Sequence, residues 1–320
     1  MIPLIVLTGP TAVGKTQLSI QLAKAVGGEI ISADSMQVYR RMDIGSAKIR
    51  TEEMEGVPHH LIDILEPQEN FDVVTFQKLA KEAIAKIHQA GHIPLLIGGT
   101  GFYIQSILYD IDFSKDSGDD SYRKELEKLA QEKGGEFLHQ MLNKVDPKSA
   151  EIIHANNVKR VIRALEYYKE TGNPISQHNE EQRQKSSPYN FAYFVLNDDR
   201  AKLYARIEER IDQMMEEGLL EEVECLKAEG CKRGMTSMQG LGYKEILDYL
   251  DGKTSLEEAV AILKRDTRHF AKRQLTWFRR EKDVIWVNKE DFAYDNDKIL
   301  KYMLQSCRER HLPILRLMGG

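Results

Sequence analysis

Eight consecutive residues, Gly9-Pro10-Thr11-Ala12-Val13-Gly14-Lys15-Thr16, match the spacing G-x-x-x-x-G-K-[ST] that wraps backbone amides around a phosphate. Glycine lets successive N–H groups turn inward without a Cβ clash. Lys15 supplies a point charge, and the Thr16 hydroxyl is a hard oxygen suited to magnesium. The apolar run Leu4-Ile5-Val6-Leu7 precedes the loop and a helical pattern over 17–26 follows it, the context such a loop needs. A phosphorylated ligand is expected here. The loop alone does not say whether that ligand is a nucleotide.

A second candidate for chemistry is Asp34, which ends the short apolar run Ile30-Ile31-Ser32-Ala33. Aspartate at such a place is common as an N-cap or in an Asx turn. It is also placed to accept a proton from a nucleophile beside the phosphate loop. A nucleotide hydrolase would carry an acid at the end of a further strand. The run over 92–97 ends instead in Gly98-Gly99-Thr100-Gly101, with no carboxylate.

Positive charge concentrates late in the chain. Lys264, Arg265, Arg268, Lys272, Arg273, Arg279, Arg280 and Lys282 face only Asp266 and Glu281, in a protein whose net charge is −5. That is the footprint of a nucleic-acid backbone. Trp277 and Phe278 lie inside this cluster and read as core anchors. Arg160 and Arg163, three apart, share a helical face and suit either solvent or phosphate. Arg206 and Arg210, one turn apart, suit either a diphosphate or neighbouring carboxylates. His59 and His60 read as structural residues in a loop.

These side chains need a frame. Apolar strands alternating with a helical pattern over 71–91 imply a parallel sheet that binds ligands at its carboxyl edge. A polar break over 110–118 leads into a segment that reads as helical from 121 to 172. A polar linker is expected over 179–190, then a strand at 191–196, helices over 200–229 and 255–282, and an edge strand at 285–287. The division is a phosphate-loop α/β core, 1–110 with 190–320, carrying an all-helical insertion at 111–189. With 42% hydrophobic and 30% charged residues, the composition is that of a soluble globular chain. No apolar run reaches the ~20 residues of a membrane helix, and no leader pattern opens the chain. Cys225, Cys231 and Cys307 form no metal pattern and suit a reducing, cytoplasmic setting. A monomer is expected.

Further motifs occur in order: Asp34-Ser35-Met36-Gln37 with Tyr39-Arg40, then Gly45-Ser46-Ala47-Lys48, then Pro58-His59-His60-Leu61-Ile62-Asp63. After Gly98-Gly99-Thr100-Gly101-Phe102-Tyr103 come Asp146-Pro147, Arg160-x-x-Arg163-Ala164-Leu165-Glu166 and Gln239-Gly240-Leu241-Gly242-Tyr243-Lys244-Glu245. Arg273-Gln274-x-Thr276-Trp277-Phe278-Arg279 closes the series. Together they resemble the bacterial tRNA dimethylallyltransferase (tRNA isopentenyltransferase) family, over residues 8 to about 280. The zinc finger that some eukaryotic members carry is not among the motifs.

The resemblance implies transfer of a dimethylallyl group from dimethylallyl diphosphate to the exocyclic N6 amine of the adenine 3′-adjacent to the anticodon. It implies that residues 9–16 hold the donor's diphosphate with a magnesium ion at Thr16, and that Asp34 is the base. It assigns tRNA contacts to Asp34, Ser35, Met36, Gln37, Thr100, Arg123, Lys159, Arg160, Arg163 and Arg273. It also implicates an arginine near Arg206 and Arg210 without choosing between them. A flipped adenine and the prenyl donor would then enter a channel from opposite mouths, extrusion from an unpaired loop being cheap. Two other readings are a small-molecule or nucleotide kinase and a nucleotide-dependent switch. The second lacks a guanine-reading N-K-x-D segment. The first leaves the basic segment without a purpose.

Overall fold

A computed structural model of the chain describes residues 1–113 and 121–314. Six strands form one sheet: β1 (Ile2–Thr8), β2 (Gly28–Ala33), β3 (His59–His60), β4 (Ile93–Gly98), β5 (Tyr189–Asn197) and β6 (Val284–Asn288). Their order is β3-β2-β4-β1-β5-β6, and every pairing is parallel. Leu4 to Leu7 on β1, and Ala192 to Leu196 on β5, are buried throughout. Continuous apolar runs are what a parallel sheet covered on both faces requires. The expected α/β class is the one found.

Register matters most for the site. Thr8 pairs with Gly98 and Val195, and Gly98 pairs with Ala33. Asn197 pairs with Asn288 at the edge. Because all the strands run one way, the residues following β1, β2, β4, β5 and β6 emerge along one edge, where open α/β sheets bind ligands. The side chains that leave this edge are Lys15, Asp34, Thr100, Asp198 and Lys289.

The chain divides into two compact units, Met1–Leu108 with Pro188–Gly320, and Tyr109–Ser187. In the first, helices α1 (Lys15–Val26), α2 (Val73–Gln89) and α3 (Gly101–Leu108) follow β1, β3 and β4. Asp72 caps α2 by accepting the Thr75 N–H at 2.8 Å. The second unit holds α4 (Ser121–Lys133), α5 (Gly135–Val145), α6 (Pro147–Ile152), α7 (Val158–Thr171) and α8 (Ile175–Gln184) around a core of Leu126, Leu138, Leu142, Val161 and Leu165. Part of the polar break expected at 110–118 lies outside the described residues. The first unit resumes after β5 with α9 (Arg200–Glu216), α10 (Leu219–Ala228), α11 (Tyr243–Leu250), α12 (Leu256–Phe278) and α13 (Asn296–Glu309).

Several sequence expectations are corrected. The linker expected over 179–190 is helical as far as Gln184, because Asn-Glu-Glu-Gln-Arg-Gln is polar yet compatible with a helix that starts after Pro174. The stretch 200–229 is two helices, broken where Gly218 adopts φ 101°. The helix expected to run to 282 ends at Phe278, so Arg279, Arg280 and Lys282 lie beyond it. His59 and His60 form β3 rather than a loop, and His60 Nε2 meets Glu29 Oε2 at 2.7 Å. Phe278 is fully buried, and Trp277 packs on Gly101, so both are the anchors expected.

Candidate active site

The loop between β1 and α1 is shaped by two glycines. Gly9 has φ 147°, and a Cβ there would lie 2.5 Å from the Leu196 carbonyl of β5; Gly14 caps α1 at φ 92°. The glycines of 98–101 differ in kind, since none has positive φ. Each makes room instead: added Cβ atoms would meet Ala33 O at 2.2 Å, the Gln274 amide at 2.3 Å and the Trp277 ring at 2.2 Å. Their role is close packing.

Lys15 folds back over the loop, its Nζ donating to Gly9 O at 3.0 Å and Pro10 O at 2.8 Å. An ammonium has three protons, so one donor remains for a ligand. Burial and, after it, the Arg210 charge pull the Lys15 pKa down to about 8, with Asp34 opposing both. These effects put Lys15, Arg210 and Asp34 in one electrostatic field. Arg210 has its own pKa lowered by burial, countered first by Asp34. Among the described residues it has no hydrogen-bond or ion-pair partner. A half-buried, unpaired guanidinium beside a phosphate loop suits an anionic ligand.

Arg206 behaves differently. Its Nη2 pairs with Asp198 Oδ2, a carboxylate with no solvent exposure at the end of β5. The two arginines thus differ in partner: Arg210 shares a field with Lys15 and Asp34, whereas Arg206 is paired with Asp198.

Asp34 takes the turn role that the sequence allowed. Its Oδ1 accepts the Met36 N–H at 2.8 Å, which is an Asx turn. Oδ2 takes no bond among the described residues. Ser35, Met36 and Gln37 follow, all half-buried. Gln37 donates to Ala47 O at 3.3 Å, and Met36 packs against Gly240. Thr100 directly precedes α3 and donates its N–H at 3.2 Å to the carbonyl of Ala33, the residue before Asp34.

Two further motifs are scaffolding for this edge. Glu222 accepts the N–H groups of Asp43 and Ile44 at 2.8 Å and of Gly45 at 3.1 Å, and the Tyr243 hydroxyl at 2.8 Å. Lys48, with only 4% of its side chain exposed, bonds Asp43 at 2.6 Å, Asp63 at 2.5 Å and Tyr39 O at 2.6 Å.

The basic segment is partly neutralised. Lys264 pairs with Asp212 at 2.6 Å, Arg268 with Glu208 at 2.5 Å, and Arg265 with Asp266 at 2.9 Å. Lys272, Arg273, Arg279, Arg280 and Lys282 are exposed and have no carboxylate partner among the described residues. Arg273 lies 5.8 Å from the Phe270 ring centre. In the helical unit Arg123 is engaged internally, forking onto the buried Glu166 at 3.0 and 2.9 Å. Lys159 and Arg160 are exposed on α7, and Arg163 is half-buried there.

Sequence reasoning missed Gln274. It is buried on α12, donates from Nε2 to Gly99 O at 2.9 Å, and accepts the Thr11 N–H on Oε1 at 2.9 Å. One side chain thus ties the phosphate loop to the turn after β4 and both to the basic helix. Its sequence signal was a place in the motif at 273–279, which gave it no role of its own. Gln274→Leu should leave one buried and one half-buried polar group unpaired and cost roughly 2–6 kcal/mol at about 1–3 each. Urea denaturation reads that cost, and the KM of the phosphorylated substrate should rise with it. A stability change below about 1 kcal/mol would contradict the bridge.

The IPP transferase family model matches residues 37–281. A tRNA dimethylallyltransferase of Lachnoclostridium phytofermentans is 61% identical over 98% of this chain and 99% of its own length. One from Carboxydothermus hydrogenoformans is 53% identical over 93% and 96%. Among solved structures, the tRNA isopentenylpyrophosphate transferase of Bacillus halodurans superposes with TM-score 0.73 at 47% identity, covering 97% of this chain and 98% of that one. A eukaryotic dimethylallyltransferase acting on tRNA superposes with TM-score 0.82 at 29% identity, over 100% of this chain and 82% of that one. With that breadth of match, this chain belongs to the IPP transferase family.

Proposed function

We propose that this protein transfers a dimethylallyl group from dimethylallyl diphosphate to the N6 amine of the adenine 3′-adjacent to the anticodon of tRNA, releasing diphosphate. The observation that carries the proposal is the shared field of Lys15, Arg210 and Asp34 at the sheet edge. A phosphate cradle and a carboxylate meet there with no second acid on β4 to activate water. The N6 nitrogen bonds to the allylic carbon, the carbon–oxygen bond breaks, and its electrons leave with the diphosphate. Charge builds on that leaving group, so loop amides, Lys15 and Arg210 act most strongly in the transition state. An adenine amine is a weak nucleophile because its lone pair is delocalised, and Asp34 Oδ2 accepts the proton it loses.

The Thr16 hydroxyl is exposed with no intramolecular partner among the described residues, and a hard oxygen beside phosphates fits magnesium. Among those residues, no group of three or more His, Cys, Asp or Glu could hold a metal. Thr16 would therefore hold the ion with diphosphate and water oxygens, and the ion would supply further charge neutralisation on the leaving group. The unpaired cations at and beyond the end of α12, with Arg273, suit the tRNA backbone. Ser35, Met36, Gln37 and Thr100 suit the flipped base, and Lys159, Arg160 and Arg163 suit the anticodon stem. Arg123 offers less, its fork being taken by Glu166. Among the described residues no helix is long and apolar enough to cross a membrane, and we place the reaction in the cytoplasm.

The test supplies magnesium, unmodified tRNA and either dimethylallyl diphosphate labelled in its carbon chain or γ-labelled ATP. Label should enter tRNA only from the prenyl donor. Label entering from ATP, as a kinase would give, sinks the proposal.

A further inference from the structure

On the opposite rim of the phosphate loop from Asp34, β6 ends and delivers Lys289. Its Nζ lies 3.4 Å from Val13 O, and a Cβ on Gly14 would sit 3.2 Å from it. The absence of that Cβ is what lets the ammonium approach the N-cap of α1. An ammonium at a helix N-terminus is in the wrong place electrostatically, since the partial charge there is already positive. A carboxylate compensates only in part, countering the burial and the Arg206 charge that pull the Lys289 pKa down. The one nearby, Asp198, has Oδ2 on Arg206, while Oδ1 accepts the Asp199 N–H at 2.7 Å and the Tyr294 hydroxyl at 3.0 Å. Lys289 has no ion-pair partner among the described residues. Arg206 contributes a second unmet need, a buried Nε with no hydrogen-bond partner. Two cations thus share one saturated carboxylate at the mouth of a loop built for phosphate. An anion between them would satisfy the lysine, the guanidinium and the helix end together.

We propose that Lys289 is a ligand of the donor's diphosphate, closing the rim of the loop opposite Lys15, with Asp198 and Tyr294 orienting Arg206 beside it. This rests on the function proposed above for the loop. Asp198 binds Arg206 through one oxygen only, which keeps that guanidinium from collapsing onto the loop. The Val13 carbonyl, at 3.4 Å, is a resting partner that Lys289 gives up when the anion arrives.

The test measures binding of inorganic diphosphate by calorimetry, and the KM of dimethylallyl diphosphate and of tRNA, in Lys289→Met, Lys289→Arg and the unaltered protein. A charge-assisted hydrogen bond predicts that Lys289→Met weakens diphosphate about tenfold or more and raises the donor KM alike. The KM of tRNA should stay within about twofold, and Lys289→Arg should restore most of the affinity. Unchanged diphosphate affinity in Lys289→Met overturns the assignment, as does a fall in melting temperature without a loss of affinity. If the unaltered protein transfers no prenyl group yet Lys289→Met still weakens diphosphate, the enzymatic reading fails and the ligand assignment stands.

Discussion

Replacing Asp34 by asparagine should lower kcat by roughly a hundred- to ten-thousandfold, the range a positioned general base contributes. The KM of dimethylallyl diphosphate should stay within about threefold, because the ligands proposed for the diphosphate are the loop and cationic side chains rather than this carboxylate. Asparagine is the informative substitution because its side-chain oxygen can still accept the Met36 N–H that Asp34 Oδ1 accepts at 2.8 Å. The turn survives, and only the basic oxygen is lost. Asp34→Ala removes both, so it should show the same kcat defect plus a loss of stability near 1 kcal/mol. Steady-state kinetics on unmodified tRNA, with a melting curve for each variant, separates the two contributions. A kcat within threefold of the unaltered value in Asp34→Asn would falsify the base assignment.

How much of this site the sequence disclosed depended on how far apart its parts lie in the chain. The loop at 9–16 and Asp34 were legible because each is a local pattern at the end of an apolar run, and β1, β2, β4 and β5 are such runs. Gln274 and Lys289 were not, since they reach the loop across 263 and 276 residues. Nothing near them in sequence marks the contact. Asp198 had a fainter signal: it follows β5 as Asp34 follows β2, and a parallel sheet brings both to one edge. Among the elements, α8 was read as linker because polar residues occupy both loops and solvated helices. The break at Gly218 was missed because 200–229 keeps its helical composition on both sides of one residue. The two-residue β3 is too short to carry a period at all. Motifs such as those of Lys48 and Tyr243 were visible as patterns, but their work in holding loop 43–48 is evident only from their bonds to Tyr39 O, the Ser46 N–H and Glu222.

Lys15 carries the other large expected effect, and pH gives it a signature. Lys15→Met should lower kcat/KM for dimethylallyl diphosphate by roughly a thousandfold, the upper range for removing one preorganised donor to a developing anion. That loss alone would not separate charge from scaffolding, because Lys15 also bonds Gly9 O and Pro10 O. In the unliganded protein burial holds its pKa down to about 8, so it is protonated below that pH and neutral above it. A bound diphosphate favours the protonated form, so binding above pH 8 takes up a proton. Donor affinity should therefore be flat below about pH 8 and fall as pH rises through it, approaching tenfold per unit. Ionisation of the substrate does not mimic this, since the second proton of a phosphate ester leaves near pH ~6. Lys15→Arg, which cannot lose its proton in this range, should bind less well but with no fall. Arg210→Met removes a neighbouring positive charge that depresses the Lys15 pKa, so the fall should begin at higher pH in that variant. Donor KM measured from pH 7 to 10 in the four proteins distinguishes these outcomes. A profile that falls identically with Lys15→Arg would assign the titration to another group.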